Sequence, residues 1–188
     1  MFKLNKIQIQ NVFKIWIPLA IVTTGLCGLI YLTVQQDIRI GANDPQIQIA
    51  EDVSRHVSLG ESPLSFIPPI KVEISESLAN YIVIFDDKGK IIGSSAVVNG
   101  KAPTLPPGVL QQTKNLGETR FTWQPQIGVR NAVVVNYYKG LNSGYVLVGR
   151  SLREVEKRED NLELIVFLAW VVILATSLGS TIILQKIK

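Results

Sequence analysis

Two long apolar stretches stand near the ends of the chain, and a segment of mixed polarity separates them. The first covers residues 13–34, and its one charged residue, Lys14, lies at its edge. The second covers residues 164–184 and contains no charge. At about 1.5 Å per residue, a helix of either length matches a hydrocarbon core of about 30 Å. The pattern therefore predicts two transmembrane helices. A cleaved signal peptide is the alternative for the first stretch, but no A-x-A site follows it.

Composition and charge place the two stretches in a membrane. Apolar side chains make up 47% of the chain and charged ones only 18%, which is too apolar for an ordinary soluble domain. The net charge is +4, yet all fifteen acidic residues lie between residues 37 and 163. The ends carry only lysines, namely Lys3, Lys6, Lys14, Lys186 and Lys188. The basic excess thus predicts contact with the lipid bilayer rather than with nucleic acid.

The positions of the lysines also predict an orientation. Short basic tails stay on the cytoplasmic side of a membrane, whereas long segments are translocated regardless of their charge. We therefore expect cytoplasmic tails at residues 1–12 and 185–188 and an extracytoplasmic domain at residues 35–163. The chain would be a two-pass protein of the plasma membrane with both termini inside the cell.

Small residues recur at every fourth position in both apolar stretches. They are Ala20, Thr24 and Gly28 in the first stretch and Ala175 and Gly179 in the second. Such faces allow close helix packing within a bilayer, so we expect these five residues to pack against another membrane helix. The alternative is that small residues are simply common in membrane spans.

Residues 35–163 have the pattern of one α+β domain. Asp44 and Pro45 interrupt the first helix, and Asp44 as N-cap would start a second helix that ends at Gly60. A short helix is expected near residues 109–114. Five strands are predicted, at residues 81–85, 90–98, 119–124, 129–138 and 144–150. Antiparallel succession of these strands, with helices on one side, predicts a five-stranded α+β sheet domain between the two transmembrane helices.

The last predicted strand leads directly into the second apolar stretch. Ser151 and Glu154 have the spacing of a capping box, which would make Ser151 the N-cap of a helix. No glycine or proline interrupts residues 152–178. One continuous helical rod about 50 Å long is therefore predicted, and movement of the last strand should move the second span.

Few residues offer catalytic or metal-binding chemistry. One cysteine and one histidine exclude a disulfide framework and a metal site built on several such ligands. Asp86 and Asp87 belong to a DDKG sequence, which is typical of a turn and lacks the spacing of a calcium loop. Ser94 and Ser95 have no nucleophile motif around them. We therefore expect no enzyme activity, no metal and no cofactor.

Aromatic and basic residues are concentrated on the last three predicted strands. An arginine beside aromatic rings could hold the carboxylate of a small ligand. The candidate ligand-binding residues are Trp123, Arg130, Tyr137, Tyr145 and Arg150, with Tyr138 beside them. Because side chains alternate along a strand, half of these residues would point away from any one pocket. The aromatic residues could then belong to the core, and Arg150 could instead anchor the start of the exit helix.

Four stretches resemble the sensory half of bacterial two-span membrane histidine kinases and related receptors. They are ANDPQIQIAEDVSRHV after the first span, YIVIFDDKGKIIGSSAVVNGKAPTLPPGVL in the middle, and TWQPQIGVRNAVVVNYY and GYVLVGRSLREVEKRED before the second span. The resemblance implies a PAS-like or single Cache domain that senses a small ligand for a two-component system. Only residues 185–188 follow the second span, so the kinase core is expected to be missing and no kinase activity is carried over.

The preferred hypothesis is a membrane-anchored sensor or receptor module. Binding of an unknown small ligand or a partner at the sheet would shift the second span. The signal would then pass sideways to a second copy or to a membrane signalling partner. Two alternatives stay open: a structural or assembly subunit whose outer domain is a docking platform, and a truncated histidine kinase fragment.

Overall fold

The structure, a computed structural model, describes residues 5–187, so Lys3 and Lys188 lie outside the described residues. In chain order the elements are α1 (Lys6–Gly41), α2 (Asp44–Ser58), a 3₁₀ turn (Pro63–Phe66), β1 (Val72–Glu73), β2 (Tyr81–Asp86), β3 (Ile91–Ser94), β4 (Ala96–Val97), α3 (Val109–Leu116), β5 (Glu118–Gln126), β6 (Val129–Lys139), β7 (Ser143–Ser151) and α4 (Arg153–Ile187). They form two compact units. One comprises the described residues up to Ile38 and from Lys157 onward, and the other comprises Arg39–Glu156. We call them the helical pair and the sheet unit.

Helices α1 and α4 supply the helical pair. The helical stretch that contains α1 and helix α4 are each long and apolar enough to cross a membrane. Each predicted span lies inside one of them, since residues 13–34 fall within α1 and residues 164–184 within α4. The prediction of two helices with the length and composition of membrane spans is therefore confirmed.

Each helix of the pair has a tryptophan whose indole N–H donates to the other helix. Trp16 Nε1 donates to Ser177 Oγ at 3.1 Å and to the Leu174 carbonyl oxygen at 3.3 Å. Trp170 Nε1 donates in the opposite direction, to Thr24 Oγ1 at 3.0 Å. Since a later residue of α1 meets an earlier residue of α4, the helices are antiparallel. An indole N–H in an apolar environment needs an acceptor, and each tryptophan finds one on the other helix.

Removal of the Trp170 hydrogen bond should weaken the contact between the two helices. We expect a coupling energy of about 0.6 kcal/mol, and at most about 1.7 kcal/mol, between Trp170→Phe and Thr24→Val, as is typical of hydrogen bonds between membrane helices. The Thr24 hydroxyl already donates to the Ala20 carbonyl oxygen at 2.7 Å, so it is not left unpaired. A double-mutant cycle, measured by reversible unfolding in mixed micelles, checks this value. Strictly additive effects of the two substitutions would contradict it.

The sheet unit is built on a five-stranded antiparallel sheet with the strand order β3-β2-β7-β6-β5. The predicted α+β class and the five-stranded antiparallel sheet are confirmed. Strands β2, β6 and β7 consist mainly of β-branched and aromatic residues, which favour extended backbone. Strand β7 is central, because it pairs with β2 on one side and with β6 on the other.

Each face of the sheet packs against a different helix. One face contacts α2 through Ala50, Val53 and Val57. The other face contacts α3 through Val109 and Leu110. We call them the α2 face and the α3 face. The prediction that the helices lie on one side is therefore wrong, because strands that are apolar on both sides require a cover on each.

Two predicted boundaries also need correction. Asn43 rather than Asp44 is the N-cap of α2, and its side chain makes no capping hydrogen bond. The strand predicted at residues 90–98 is divided into β3 and β4, since β4 leaves β2 and pairs in parallel with β1. Strand β1 has only two residues, so its own sequence contains no period that could predict it.

A single residue, Leu152, connects β7 to α4. Its N–H donates to the Arg130 carbonyl oxygen at 2.8 Å. Ser151 Oγ accepts a hydrogen bond from the Arg153 N–H at 3.3 Å. Ser151 is still part of β7, so the helix begins one residue later than the predicted capping box would place it. The predicted continuous helix is confirmed, since α4 extends without interruption over 35 residues.

Candidate functional site

A cavity of about 340 Å³ lies on the α3 face, between the sheet and residues 103–116. We call residues 103–116 the cover segment. The sheet contributes Phe85 and Ile91 to the wall, and the cover segment contributes Leu105 and Leu110. All four residues also belong to or pack against the core of the α3 face. The volume is near the lower end of the range for small-molecule sites.

Prolines shape the cover segment. Pro103, Pro106 and Pro107 line the cavity, and each ring restricts the backbone angle φ to about −65°. Gly108 then has a φ of +85°, which turns the chain into α3 at no steric cost because glycine has no Cβ. This wall of the cavity therefore has little freedom to collapse inward.

The turn between β2 and β3 approaches α3 closely. Asp86 closes this turn, because its Oδ1 accepts hydrogen bonds from the N–H groups of Lys88 and Lys90 at 2.9 and 2.8 Å. Gly89 has a φ of +81°, and a Cβ there would stand 3.0 Å from Leu110 Cδ1. The DDKG sequence therefore forms the predicted turn, and its glycine allows α3 to pack against it.

Asp87, Lys114 and Tyr137 form a polar contact at the end of α3, which we call the Asp87 latch. Lys114 Nζ donates to Asp87 Oδ1 at 2.9 Å, and the Tyr137 hydroxyl donates to the same oxygen at 3.3 Å. Lys114 Nζ also lies 5.5 Å from the centre of the Tyr137 ring, within the range of a cation–π contact. The latch therefore connects α3 to the β2–β3 turn and to β6.

The latch changes the pKa of its charged members in opposite directions. The hydrogen bond from Lys114 lowers the pKa of the Asp87 carboxyl, and the bond to Asp87 raises the pKa of the Lys114 amine. Burial raises the pKa of the nearby Tyr145 phenol, whose ring lies 5.2 Å from that of Tyr137. Asp87 and Lys114 are therefore both charged at neutral pH.

Replacement of Lys114 should give a small loss of stability that diminishes in acid. Because the pKa of Asp87 is lowered, its ion pair with Lys114 contributes to stability at pH values above the ordinary carboxyl pKa of 3.8. That contribution is lost as the pH falls through the lowered pKa. Since the pair is about half exposed, we expect Lys114→Met to lower the Tm by about 2 °C at pH 7 and by less near pH 3. Thermal unfolding of the full chain at both pH values checks this, with Lys88→Met as control. An equal loss at pH 3 would contradict it.

Three of the aromatic residues predicted to bind ligand belong to the α3 face, whereas Tyr138 is buried on the α2 face. Trp123 and Tyr145 are buried in the core of the α3 face, and Tyr137 is half-buried beside them. Other residues line the cavity. The alternative that these aromatic residues serve as core is therefore what the structure supports for Trp123 and Tyr145. A ligand-binding role for the three residues stays a prediction.

The two arginines predicted to bind ligand alternate with these aromatic residues along their strands, so they belong to the other face of the sheet. They also take part in other contacts. Arg130 Nη1 lies 2.5 Å from Glu156 Oε1, on the first turns of α4. Arg150 Nε donates to the Leu78 carbonyl oxygen at 3.3 Å. Along β6, Val133 and Val135 face the α3 side and Val134 the α2 side, so alternation assigns Arg130 to the α2 side. The structure does not bring these arginines together with the aromatic residues of the α3 face.

The five small residues of α1 and α4 that were predicted to pack take different positions. Thr24 accepts the Trp170 hydrogen bond, and Ala20 is half-buried. Ala175 is exposed, and no atom lies within 4 Å of a Cβ placed on Gly28 or Gly179. Among residues 5–187, no close contact therefore uses the two glycines. Their packing against another membrane helix stays a prediction.

Sequence reasoning missed the cavity, although its wall has a recognisable signal. Two proline-containing turns with Leu105 between them follow a β-hairpin, and Leu110 comes next on a short helix. Such a segment is too apolar for a solvent-exposed loop, which indicates that it packs against another part of the fold. The cavity itself depends on how closely Leu110 approaches Gly89. That distance cannot be predicted from the residues on either side of each position.

Within the described part of the chain, no group of three or more His, Cys, Asp or Glu residues could hold a metal ion. Neither a protein-family model nor a curated protein matches the sequence. The function therefore has to be inferred from the residues and contacts of the chain itself.

Proposed function

We propose that this protein is a membrane-anchored sensor or receptor module, with a PAS-like or Cache-like sheet domain. The domain binds a ligand in the cavity of the α3 face, and α4 transmits the binding event. The observation that carries this proposal is the direct connection of the central strand β7 to α4 through Leu152. A strand paired on both sides moves with the sheet, and a helix that follows it without a flexible linker moves with the strand.

The first turn of α4 belongs to the sheet unit and has further contacts within it. Arg153 Nη2 donates to the Glu76 carbonyl oxygen at 3.1 Å. The Arg130–Glu156 ion pair and the Leu152 N–H bond to Arg130 add two contacts with β6. We call these three contacts the exit junction. They favour transmission because they hold the start of α4 to both the sheet and the loop before β2.

Strand β7 connects the cavity to the exit junction. Phe85 in the cavity wall pairs with Tyr145 near the start of β7, and Ser151 ends the strand. Six residues of extended chain span about 20 Å. A ligand that displaces the cavity wall would therefore act on the same strand that enters α4. The expected displacement of a switching helix is about 1–2 Å.

The proposed location is the plasma membrane, with the sheet unit outside the cell and both termini inside. The lysines of the terminal segments and the length of residues 35–163 favour this orientation. Reporter fusions at either terminus and protease treatment of intact cells test it. An external reporter at either end would exclude the proposed orientation.

Breaking the exit junction should change the transmitted signal. In a chimera that fuses a histidine kinase transmitter after Lys188, Arg130→Glu would place like charges beside Glu156. We expect the basal kinase output to change about threefold, in either direction. Adding Glu156→Arg would restore the pair and return the output towards the starting value. Unchanged output in the Arg130→Glu variant, at normal expression, would contradict transmission through the junction.

A docking platform is the second candidate, and two exposed leucines favour it. Leu59 follows α2 and Leu141 lies in the β6–β7 turn, with exposed fractions of 70% and 79%. A Cβ on Gly60 would lie 2.8 Å from Leu141 Cδ1, so the turn and the end of α2 are neighbours. Adjacent exposed apolar residues occur at protein–protein contacts. This surface lies at the opposite end of β7 from the exit junction.

A further inference from the structure

We infer that the cavity of the α3 face takes a small, neutral, largely apolar molecule, and not the carboxylate that the arginine and aromatic pattern predicts. This inference rests on the proposed function, whose binding site it specifies. Four observations carry it: the chemistry of the lining, the engagement of three basic residues, the position of the polar lining groups, and the rigidity of the wall.

The lining offers no partner for a charge. Among the residues that the structure describes, those that line the cavity include no Asp, Glu, Lys, Arg or His. The walls consist mainly of the aliphatic, aromatic and proline side chains of β2, β3 and the cover segment. Transfer of an ion from water to such a site is strongly unfavourable unless it is paired. A charged ligand would therefore bind poorly there.

Three basic residues that could be considered as carboxylate partners, the two predicted arginines and the lysine of the Asp87 latch, are already engaged. Lys114 is bound by Asp87, whose carboxylate neutralises it. Arg130 is paired with Glu156, and Arg150 donates to the Leu78 carbonyl oxygen. A carboxylate in the cavity would have to break one of these contacts to pair with any of these three residues. A neutral ligand requires no such rearrangement.

Two uncharged polar residues, Thr104 and Gln111, complete the lining. A hydroxyl and an amide can satisfy a single polar group on the ligand, such as an alcohol or a carbonyl oxygen. The volume of about 340 Å³ restricts the apolar part to a small ring or a short branched chain. Together they describe a molecule with one apolar body and at most one or two neutral polar atoms.

The wall resists closure, so the space is available to a ligand. Pro106 and Pro107 stiffen the segment before α3, and Leu110 packs so close to the β2–β3 turn that a Cβ on residue 89 would stand 3.0 Å from Leu110 Cδ1. An apolar molecule of matching size would remove the apolar part of this lining from water, which favours binding. Occupation would replace contacts that the lining lacks when the cavity is empty.

Three probes of nearly equal size and different charge test the ligand class: benzyl alcohol, benzoate and benzylammonium. The full chain is reconstituted in nanodiscs with isotope-labelled methyl groups, and each probe is titrated while the methyl signals of Ile91, Leu105 and Leu110 are followed. We expect benzyl alcohol to shift these signals saturably, and the two ions to bind at least tenfold more weakly. Equal or tighter binding of benzoate would overturn the inference, and so would the absence of saturable shifts with every probe.

Matched variants separate binding in the cavity from partitioning of the probe into lipid. Leu105→Trp fills the cavity and should abolish the saturable shifts, whereas Leu116→Trp on the exposed side of α3 should leave them unchanged. If Leu105→Trp fails to fold, Ile91→Phe narrows the opposite wall with a smaller change. Equal binding by Leu105→Trp, or by Ile91→Phe where that variant replaces it, would overturn the inference.

The same probes distinguish a wrong ligand class from a wrong function. Preference for benzoate would contradict the ligand class and leave the proposed sensor intact. Saturable binding of benzyl alcohol with no change in the output of the kinase chimera would support the ligand class and contradict the sensor function.

Discussion

Replacement of Gly149 by alanine is expected to destabilise the sheet unit by about 3 kcal/mol or more. A Cβ at this position would stand 2.3 Å from both Cζ and Oη of Tyr81. The two residues are register partners on the central β2–β7 pair, and Tyr81 is only 1% exposed. The ring cannot move aside without displacing the core of the α3 face, so either the ring or the strand pairing must give way.

A double-mutant cycle shows whether the Tyr81 ring is the cause. In a Tyr81→Leu background the clash is removed, so Gly149→Ala should cost markedly less than in the native chain. Gly28→Ala serves as a control, because no atom lies within 4 Å of its Cβ position. Reversible unfolding by denaturant measures the free energy of each variant. Equal losses in both backgrounds would show that the ring does not restrict residue 149.

A lysine in place of Ile173 is expected to oppose membrane insertion of α4 by about 2.5–3.5 kcal/mol, which is about a 100-fold change in the ratio of inserted to non-inserted chains. Ile173 lies near the middle of the predicted span and is 44% exposed, so its side chain does not face α1 closely. A charge there would be surrounded by hydrocarbon. This prediction tests the membrane location on which the proposed sensor depends.

A second lysine variant on the same helix supplies the control. Leu184→Lys adds the same charge near the end of the apolar stretch, two residues before Lys186, where a long side chain can reach the interface. Insertion of both variants can be compared by the glycosylation of sites placed on either side of the segment. Equal insertion of Ile173→Lys and Leu184→Lys would argue against a bilayer around α4.

Gly149 and Ile173 affect different parts of the same proposed path. The first controls the packing of β2 against β7, between the cavity wall and the exit junction. The second controls whether α4 lies in a membrane at all. Failure of the second would remove the basis for transmembrane signalling, whereas failure of the first would leave the location intact and weaken only the role of the central strand pair.

Local patterns in the sequence were enough to determine most of the elements. The apolar stretches predicted α1 and α4 because their length and lack of charge depend on composition alone. Alternation and turn residues predicted β2, β5, β6 and β7 within a few residues of their ends, since a strand of six or more residues repeats its period often enough to be seen. The Asp86 turn and the uninterrupted exit helix follow from the same kind of local information.

Only the tertiary structure decided which residues meet, because those contacts join segments far apart in the chain. Strand β1 exists only through its pairing with β4, and the Asp87 latch joins a turn, a helix and a strand. Alternation could assign Arg130 and Arg150 to a particular face of the sheet only once the helix that covers each face was known. The sequence by itself thus determined the elements and the candidate spans, whereas packing determined that the cavity is uncharged and that the arginines lie elsewhere, since burial and counter-charges are properties of neighbours in space.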